Sequence, residues 1–438
     1  MPITRWVAAR RRSYKTLRTL IETCGSSTGY QAGTRMAMTL ALGLMAAAAL
    51  QAQDEPAGEA DLAATARAIA QRAVLVDTHV DMPYRLQAGW ADVTESVPDR
   101  DFDYPRARQG GLDVPFMSIY TPAEKEEEGG AYALANLLID SVEALAGRRP
   151  DGLAVVHSTG EVEKARSEGR MALALGMENG SPIEGDMEKL RHFHQRGIRY
   201  ITLAHSLSNH ISDSSYDENR QWNGLSPFGR EVVAEMNRLG IMVDVSHLSD
   251  DAFYQVLELS GAPVIASHSS ARHFTPGWER NMSDDMIKAL AGNGGVIMIN
   301  FGSSFLTNEA RLWYEAMGDA RDAWSAESGH APDGPEAEAW QDAYRQANPF
   351  PFASLSDLAD HFDHVIELVG VQHVGVGSDF DGVGDSLPVG MKSVADYPNL
   401  VEELLRRGYG EDDIEAILGG NLMRVWRTVE RYAASQKG

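Results

Sequence analysis

Eight short apolar runs, rich in β-branched residues, recur along the chain and alternate with segments of helical periodicity. The runs cover residues 73–81, 112–120, 170–178, 198–206, 241–249, 263–270, 294–302 and 373–382. Strands that alternate with helices form parallel sheets, and eight such units are the number in a closed (β/α)8 barrel. The sequence therefore predicts an α/β fold, a TIM barrel. An open doubly wound sheet is the alternative, although no GxGxxG motif follows the first run.

Two connections between the runs are much longer than a single helix requires. Residues 122–169 contain a helical pattern around 131–147, and residues 303–372 contain the acidic, tryptophan-containing stretch 310–346. We therefore expect helical insertions in one barrel domain that spans residues 53–438, and no second domain.

The N-terminal 52 residues have the composition of a leader. A basic segment precedes the apolar run Met36–Leu50, and small residues follow up to Ala52. A membrane span needs about 20 apolar residues, so this shorter run is typical of a secretory signal. We expect cleavage after Ala52, with Met36 and Met38 as alternative start sites. An uncleaved anchor is the alternative.

An exported protein, periplasmic or secreted, with no stable membrane anchor after removal of the leader, is the resulting expectation. The only cysteine, Cys24, lies in the leader, so the mature protein would hold no disulfide. The net charge of −24 argues against a nucleic-acid partner, because nucleic-acid binding requires a basic surface.

Polar side chains follow the apolar part of most runs. In the first run, VLVDTHVD, His79 and Asp81 stand at positions i and i+2 of a strand and so face the same side. The corresponding positions of the other runs hold Glu178, His205, His247, His268 and Asp379. Because catalytic groups of α/β barrels gather at the carboxyl ends of the strands, these side chains predict a metal site there.

The number of candidate ligands favours two metal ions over one. His79, Asp81, Glu178, His247 and His268 would crowd a single ion, whereas two ions that share Glu178 would each keep open positions. Two ions about 3.5–4 Å apart can hold a bridging hydroxide as nucleophile. Nitrogen and oxygen ligands suit zinc, with manganese, cobalt and iron as alternatives.

Several longer motifs resemble those of the membrane (renal) dipeptidase family, peptidase family M19. These motifs are VDTHVD, LGMEN, LAHS, GLSPFGREVVAEMNRLGIMVDVSH, IASHSSAR, RNMSDD and GVGSDFDG, and the resemblance extends from about residue 66 to residue 432. It implies a (β/α)8 barrel of the metal-dependent-hydrolase type that holds two zinc ions and hydrolyses dipeptides by a metal-bridging hydroxide. It also implies a possible homodimer.

The resemblance also implies roles for individual residues. His79 and Asp81 match the ligands of the first zinc, Glu178 matches the bridging carboxylate, and His247 and His268 match the ligands of the second zinc. The remaining catalytic and substrate-binding positions are His205 at the scissile carbonyl or its oxyanion, Arg280 at the substrate's terminal carboxylate, and Asp379 for proton transfer.

The chain departs from the family at Asn179, where relatives often have glycine, and in the 303–346 insertion, which matches no family segment. Two other functions stay open. One is a metal-dependent amidohydrolase that acts on N-acyl amino acids or another small amide. The other is an exported metal- or peptide-binding protein without activity. A carboxylate clamp at Arg280 favours dipeptides or N-acyl amino acids, and the complete ligand set favours an enzyme.

Overall fold

Eight parallel strands close into a barrel in the computed structural model, which describes residues 57–332 and 334–436. The strand order is β2-β1-β9-β8-β7-β6-β5-β4, and the pairing of β2 with β4 closes the ring. The strands are β1 (Leu75–Val80), β2 (Leu112–Tyr120), β3 (Leu153–Val155), β4 (Met171–Glu178), β5 (Ile198–Thr202), β6 (Met242–Asp244), β7 (Ile265–Ser269), β8 (Val296–Ile299) and β9 (Val374–Val376).

The predicted barrel is thereby confirmed, and each of the eight apolar runs contains one of its strands. The predicted leader, with Ala52, and the start of the domain at residue 53 lie outside the described residues. None of the helices in the described ranges combines the length and the apolar character that crossing a membrane requires.

Helices surround the barrel and connect successive strands. The α-helices are α1 (Ala57–Arg72), α2 (Met82–Ala88), α3 (Tyr104–Gly110), α4 (Lys125–Glu128), α5 (Ala131–Arg148), α6 (Thr159–Ser167), α7 (Met187–Gln195), α8 (Pro227–Leu239), α9 (Asp250–Leu259), α10 (Asp284–Gly292), α11 (Ser303–Leu306), α12 (Asn308–Ser328), α13 (Pro335–Ala347), α14 (Leu355–Val369), α15 (Tyr397–Arg406), α16 (Glu411–Glu415) and α17 (Asn421–Ser435). Short 3-10 helices cover Ser181–Ile183, Arg272–Phe274 and Val371–His373, and a π-helix covers Ala416–Gly420.

Helix α8 begins and ends at the residues that its sequence indicates. The Ser226 side chain accepts a hydrogen bond from the Gly229 amide, and Pro227 occupies the first turn, where its missing amide hydrogen costs nothing. Gly240 ends the helix in the left-handed conformation, with φ of 86°. The helix connects β5 to β6, and the parallel pairing of these strands places the two ends that precede His205 and His247 side by side.

A separate apolar cluster lies below the mouth of the barrel. Its residues come from seven of the strands and from α17, whose Trp426 ring packs 5.3 Å from Phe116. Phe116 in turn packs 5.4 Å from Tyr200 on β5. This packing fills the barrel below its mouth and fixes the position of the Tyr200 ring.

Strand β3 was not predicted from the sequence. This strand has only three residues, in the 122–169 connection, and pairs with the first residues of β4, Met171 to Leu173. Three residues are too few to show an alternating pattern, which is why the segment carries no strand signal. The helix expected around 131–147 is confirmed as α5.

The 303–346 insertion is helical, as expected. Helices α12 and α13 pack against each other as a hairpin, residues 308–347. Ala310 and Ala337 are the buried residues that its two helices contribute. The hairpin therefore adds little to the hydrophobic core, although it contributes side chains to the cavity at the barrel mouth.

A buried histidine on α14 predicts how stability depends on pH. His361 is fully buried; its Nδ1 accepts from the Ala271 amide and its Nε2 donates to the Leu306 carbonyl. Burial lowers the pKa of His361 to about 4, because a charged ring would lose water and place a second donor against Ala271.

The unfolded chain therefore binds this proton at a higher pH than the folded chain does, and the stability is lost as pH falls from about 6.5 to 4. The free energy of unfolding should fall by about 1.4 kcal/mol per pH unit within that window. This pH dependence is measured by denaturant unfolding of the wild type and of His361→Asn. The asparagine keeps an acceptor for the Ala271 amide. The stability difference between the two proteins should shrink as pH falls; a constant difference would contradict the assignment.

Candidate metal centre at the barrel mouth

The predicted site residues come together at the carboxyl ends of the strands. Glu178 is the last residue of β4, and His205, His247 and Asp379 each follow the last residue of a strand by three positions. The centre opens into a cavity of about 880 Å³. The members of the predicted set that line this cavity are Asp81, Glu178, His205, His247 and Asp379.

Glu178 lies at the middle of the group. Its Oε2 is 3.2 Å from His79 Nε2, and its Oε1 is 3.2 Å from His247 Nε2, 3.4 Å from His268 Nε2 and 3.4 Å from His205 Nε2. Burial alone would raise the pKa of Glu178, but His79 and His205 beside it lower that pKa well below its ordinary value. The carboxylate is therefore ionised and faces imidazoles with both oxygens.

The ring of His79 is held so that Nε2 faces the Glu178 carboxylate. Its Nδ1 is 2.9 Å from the Tyr200 hydroxyl, and this hydroxyl donates its own hydrogen to the Thr78 carbonyl at 2.9 Å. The Tyr200 oxygen must therefore accept from His79 Nδ1. Burial alone would lower the pKa of His79, but Tyr200, Glu178 and Asp81 beside it raise that pKa well above its ordinary value, so Nε2 carries a proton toward Glu178. When a metal ion replaces that proton, the lone pair of the ring is on Nε2. A fixed tautomer of this kind is what an outer hydrogen bond gives a metal-binding histidine.

His268 is held in the same way by a different chain of groups. Ser267 Oγ donates to Asp244 at 2.6 Å and lies 2.7 Å from His268 Nδ1. Since the serine hydrogen is already used, Ser267 Oγ accepts from Nδ1 and the lone pair of His268 is on Nε2. Asp244 also accepts from the Ser246 and Ser267 amides, so this chain is anchored to two strand ends.

Two nitrogen acceptors face each other at the centre of the site. His247 Nε2 lies 2.8 Å from His268 Nε2, and Arg280 Nη2, which can only donate, lies 3.1 Å from His247 Nε2. Burial lowers the pKa of both imidazoles well below the ordinary value, so both rings are neutral. Lone pairs of two neutral rings and an ionised carboxylate converge here, and a cation is the partner that satisfies all of them.

Further donor atoms of the group are buried and unpartnered. They include Asp81 Oδ1, His205 Nδ1 and His247 Nδ1. Ligand-type atoms within 4.8 Å of one another form three overlapping sets, which are His79–Glu178–His268, Glu178–His205–His247 and His79–Asp81–Asp379. The donor chemistry thus fits divalent metal ions, and His205 is as close to Glu178 as His268 is.

Asp379 lies on the Asp81 side of the centre. Asn300 donates to its Oδ2 at 2.7 Å. Burial raises the pKa of Asp379 well above its ordinary value, and the nearby Asp81 carboxylate raises it further. His247 and Asp379 both have left-handed backbone conformations, with φ of 68° and 64°. Such conformations are uncommon outside glycine and occur often at functional sites.

Arg280 lies behind the wall of the cavity. Its guanidinium donates to Ser269 Oγ at 2.8 Å and to the His268 carbonyl at 2.7 Å, and it stacks 5.0 Å above the Phe305 ring. It is only 2% exposed, and the residues that line the cavity do not include it. The arginine is thus next to the metal-ligand groups, and its Nε has no partner.

Sequence reasoning missed the groups that orient the ligands. Tyr200, Asp244, Ser267 and Asn300 are buried in or beside the strands. Asn300 directly follows β8, the same kind of position that indicated the ligands, so its signal was present. Tyr200 had no such signal in the sequence, because a tyrosine within a strand is normally interpreted as a residue of the hydrophobic core. Strand pairing also shifts in register next to His79 and His268, which no alternation rule predicts.

Comparison with known proteins relates this geometry to one family. The sequence profile of the membrane dipeptidase family (peptidase family M19) matches residues 63–438. Dipeptidase aclJ of Aspergillus oryzae is 36% identical over 340 residues, which are 76% of this chain and 71% of that protein. Mouse dipeptidase 3 is 32% identical over 373 residues, which are 83% of this chain and 66% of that protein.

Solved structures agree with the sequence comparisons. The crystal structure of the probable dipeptidase PvdM from Pseudomonas aeruginosa superposes with a TM-score of 0.74 and is 26% identical. The superposition covers 85% of this chain and 99% of PvdM. The similarity therefore extends over nearly the whole of PvdM.

The hydroxyl of Tyr200 should matter for metal affinity. Tyr200→Phe removes the acceptor that fixes the His79 tautomer and leaves the ring packing intact. We expect metal affinity to fall about 10- to 100-fold, the usual loss when an outer hydrogen bond to a ligand is removed. Competition with a chromophoric chelator measures it.

Tyr409→Phe is the matched control, because the Tyr409 hydroxyl also binds a partner, Asp363 Oδ1 at 2.6 Å, but does not line the cavity. Its metal affinity should equal that of the wild type. Equal affinities for both variants and the wild type would show that Tyr200 does not orient a ligand.

Proposed function

The chain belongs to the membrane dipeptidase family, peptidase family M19, and we propose that it hydrolyses dipeptides in a centre of two metal ions that share Glu178. It is a hydrolase of the metallo-dipeptidase class. The observation that carries the proposal is the position of Glu178, with His79 at one oxygen and three imidazoles at the other.

In the proposed centre, His79 and Asp81 would hold one ion, and His247 and His268 would hold the other. Nitrogen and oxygen ligands suit zinc, with manganese, cobalt and iron as alternatives. When bound, two such ions would polarise the peptide carbonyl and bring the pKa of a shared water toward neutrality. The hydrogen bonds that His79 donates to Tyr200 and that His268 donates to Ser267 support this assignment, because they use Nδ1 of both rings and turn Nε2 toward Glu178.

His205 and Asp379 are the proposed catalytic residues beside the ligands. His205 is partly exposed to the cavity, so it can reach the scissile carbonyl and stabilise the oxyanion as negative charge develops. Asp379 lines the same cavity and is oriented by Asn300. It would take the proton of the attacking water and give it to the leaving amine.

Arg280 is the proposed clamp for the substrate's terminal carboxylate. A planar guanidinium binds a carboxylate through two parallel hydrogen bonds. Its Nη2 contacts His247, which lines the cavity, so the guanidinium is one residue away from the space that the substrate would fill. A clamp on the free C-terminus would restrict the substrates to short peptides.

One assay tests the function and separates it from the amidohydrolase alternative. Metal ions per chain are counted by elemental analysis, and hydrolysis of L-Ala-L-Ala, L-Ala-D-Ala and N-acetyl-L-Ala is followed before and after chelation. We expect about two metal ions per chain and dipeptide cleavage that stops on chelation. Cleavage of the N-acetyl compound alone would favour the amidohydrolase, and activity that survives full metal removal would contradict the proposal.

Asp379→Asn tests the proton-transfer role. The amide keeps the shape and the contact with Asn300 but cannot accept the proton, so kcat should fall roughly 10²- to 10⁴-fold while metal content stays the same. Asp285→Asn is the control, because that carboxylate is 89% exposed on α10. A fall in kcat that merely follows a loss of metal would remove Asp379 from the mechanism.

A further inference from the structure

The cavity above the metal centre is larger than small dipeptides require. Its volume of about 880 Å³ is close to the upper end of the range of about 300–1,000 Å³ that ligand pockets span. The space continues from the catalytic groups to the root of the 308–347 hairpin, where Arg311, Tyr314 and Glu315 line it. The following inference rests on the proposed function and concerns what occupies this space.

Six aromatic side chains are among the residues that line the cavity. Trp278 lies between Phe305, at 5.1 Å, and Tyr216, at 6.1 Å between ring centres. Tyr84 and Tyr120 form a second pair, edge to face at 4.9 Å. Tyr216 is 42% exposed, so this ring is not part of the hydrophobic core. A wall of partly open rings offers faces and edges to another ring.

The hairpin contributes one more ring, Tyr314, and holds it in place. The Tyr314 ring packs 5.1 Å from Phe350, and Arg345 Nη2 lies 3.5 Å from its hydroxyl. Arg311 and Glu315 form an ion pair, so the two charges that the hairpin brings to the cavity neutralise each other. The ring of Tyr314 is therefore the hairpin's main apolar contribution to the wall.

We propose that these rings form a subsite for one large aromatic side chain of the dipeptide, and that Tyr314 is a specificity-determining residue of that subsite. Offset and edge-to-face contacts between rings stabilise the bound side chain beyond the burial of its area. The insertion would then extend the substrate pocket without adding to the core.

Hydrolysis of three dipeptides by the metal-loaded protein tests the subsite. We expect kcat/KM for Ala-Trp or Trp-Ala to exceed that for Ala-Ala by about tenfold or more, the size of one to two good aromatic contacts. Tyr314→Ala should lower the larger value about tenfold and so remove most of the preference over Ala-Ala, whereas Tyr314→Phe, which keeps the ring, should retain the preference.

Trp324→Ala is the matched control. Trp324 lies on the same helix and stacks on Trp340 at 5.7 Å, but it does not line the cavity. This variant should keep the preference for tryptophan. A loss equal to that of Tyr314→Ala would show that the effect comes from hairpin stability, which overturns the proposal.

The remaining outcomes separate the two claims. Cleavage of Ala-Ala without any preference for a tryptophan dipeptide would overturn the aromatic subsite and leave the proposed function intact. An equal fall for all three substrates in Tyr314→Ala would overturn the specificity role. Failure to cleave any dipeptide, with metal ions bound, would overturn the proposed function itself, and the subsite with it.

Discussion

The site depends on one buried carboxylate that has to stay ionised. Glu178 is 4% exposed, and an unpaired charge at such a position would cost several kcal/mol. Four imidazoles surround it within 3.4 Å. Burial lowers the pKa of His205, His247 and His268, so those rings are neutral, whereas the burial of His79 is outweighed by Tyr200, Glu178 and Asp81, which raise its pKa well above the ordinary value. His79 is therefore the one imidazole of the four that carries a charge, on a proton that a metal ion would replace. Divalent cations are the partners that would balance the carboxylate.

The barrel holds two of the four imidazoles around this carboxylate in a fixed orientation. Tyr200 belongs to the apolar cluster below the site, and its hydroxyl accepts a hydrogen bond from His79 Nδ1, which orients the His79 ring. Asp244 and Ser267 do the same for His268. Asp77 acts on the backbone, since it accepts from the His79 and Ser378 amides and so joins β1 to β9. The packing of the core therefore also determines the geometry of the candidate ligands, because the groups that orient them belong to the strands and the core.

The sequence predicted the barrel, its eight strand positions and the side chains that gather at its mouth. Those predictions worked because apolar runs, alternation and strand ends are local features. Other features of the structure could not be predicted from the sequence. The strand β3 is too short for a pattern, the left-handed backbone at His247 and Asp379 has no residue signal, and the buried position of Arg280 depends on contacts with Ser269 and His268 that are made only in the fold. The cavity wall formed by the hairpin also arises from tertiary contacts.

The most direct measurement is the metal content of Glu178→Gln compared with that of the wild type, by elemental analysis after identical loading with zinc. The substitution keeps the size of the side chain but removes the charge that both ions would share. We expect about two ions per chain in the wild type, clearly fewer in the variant, and loss of dipeptide hydrolysis. Two ions and full activity in the variant would contradict the central role of this carboxylate.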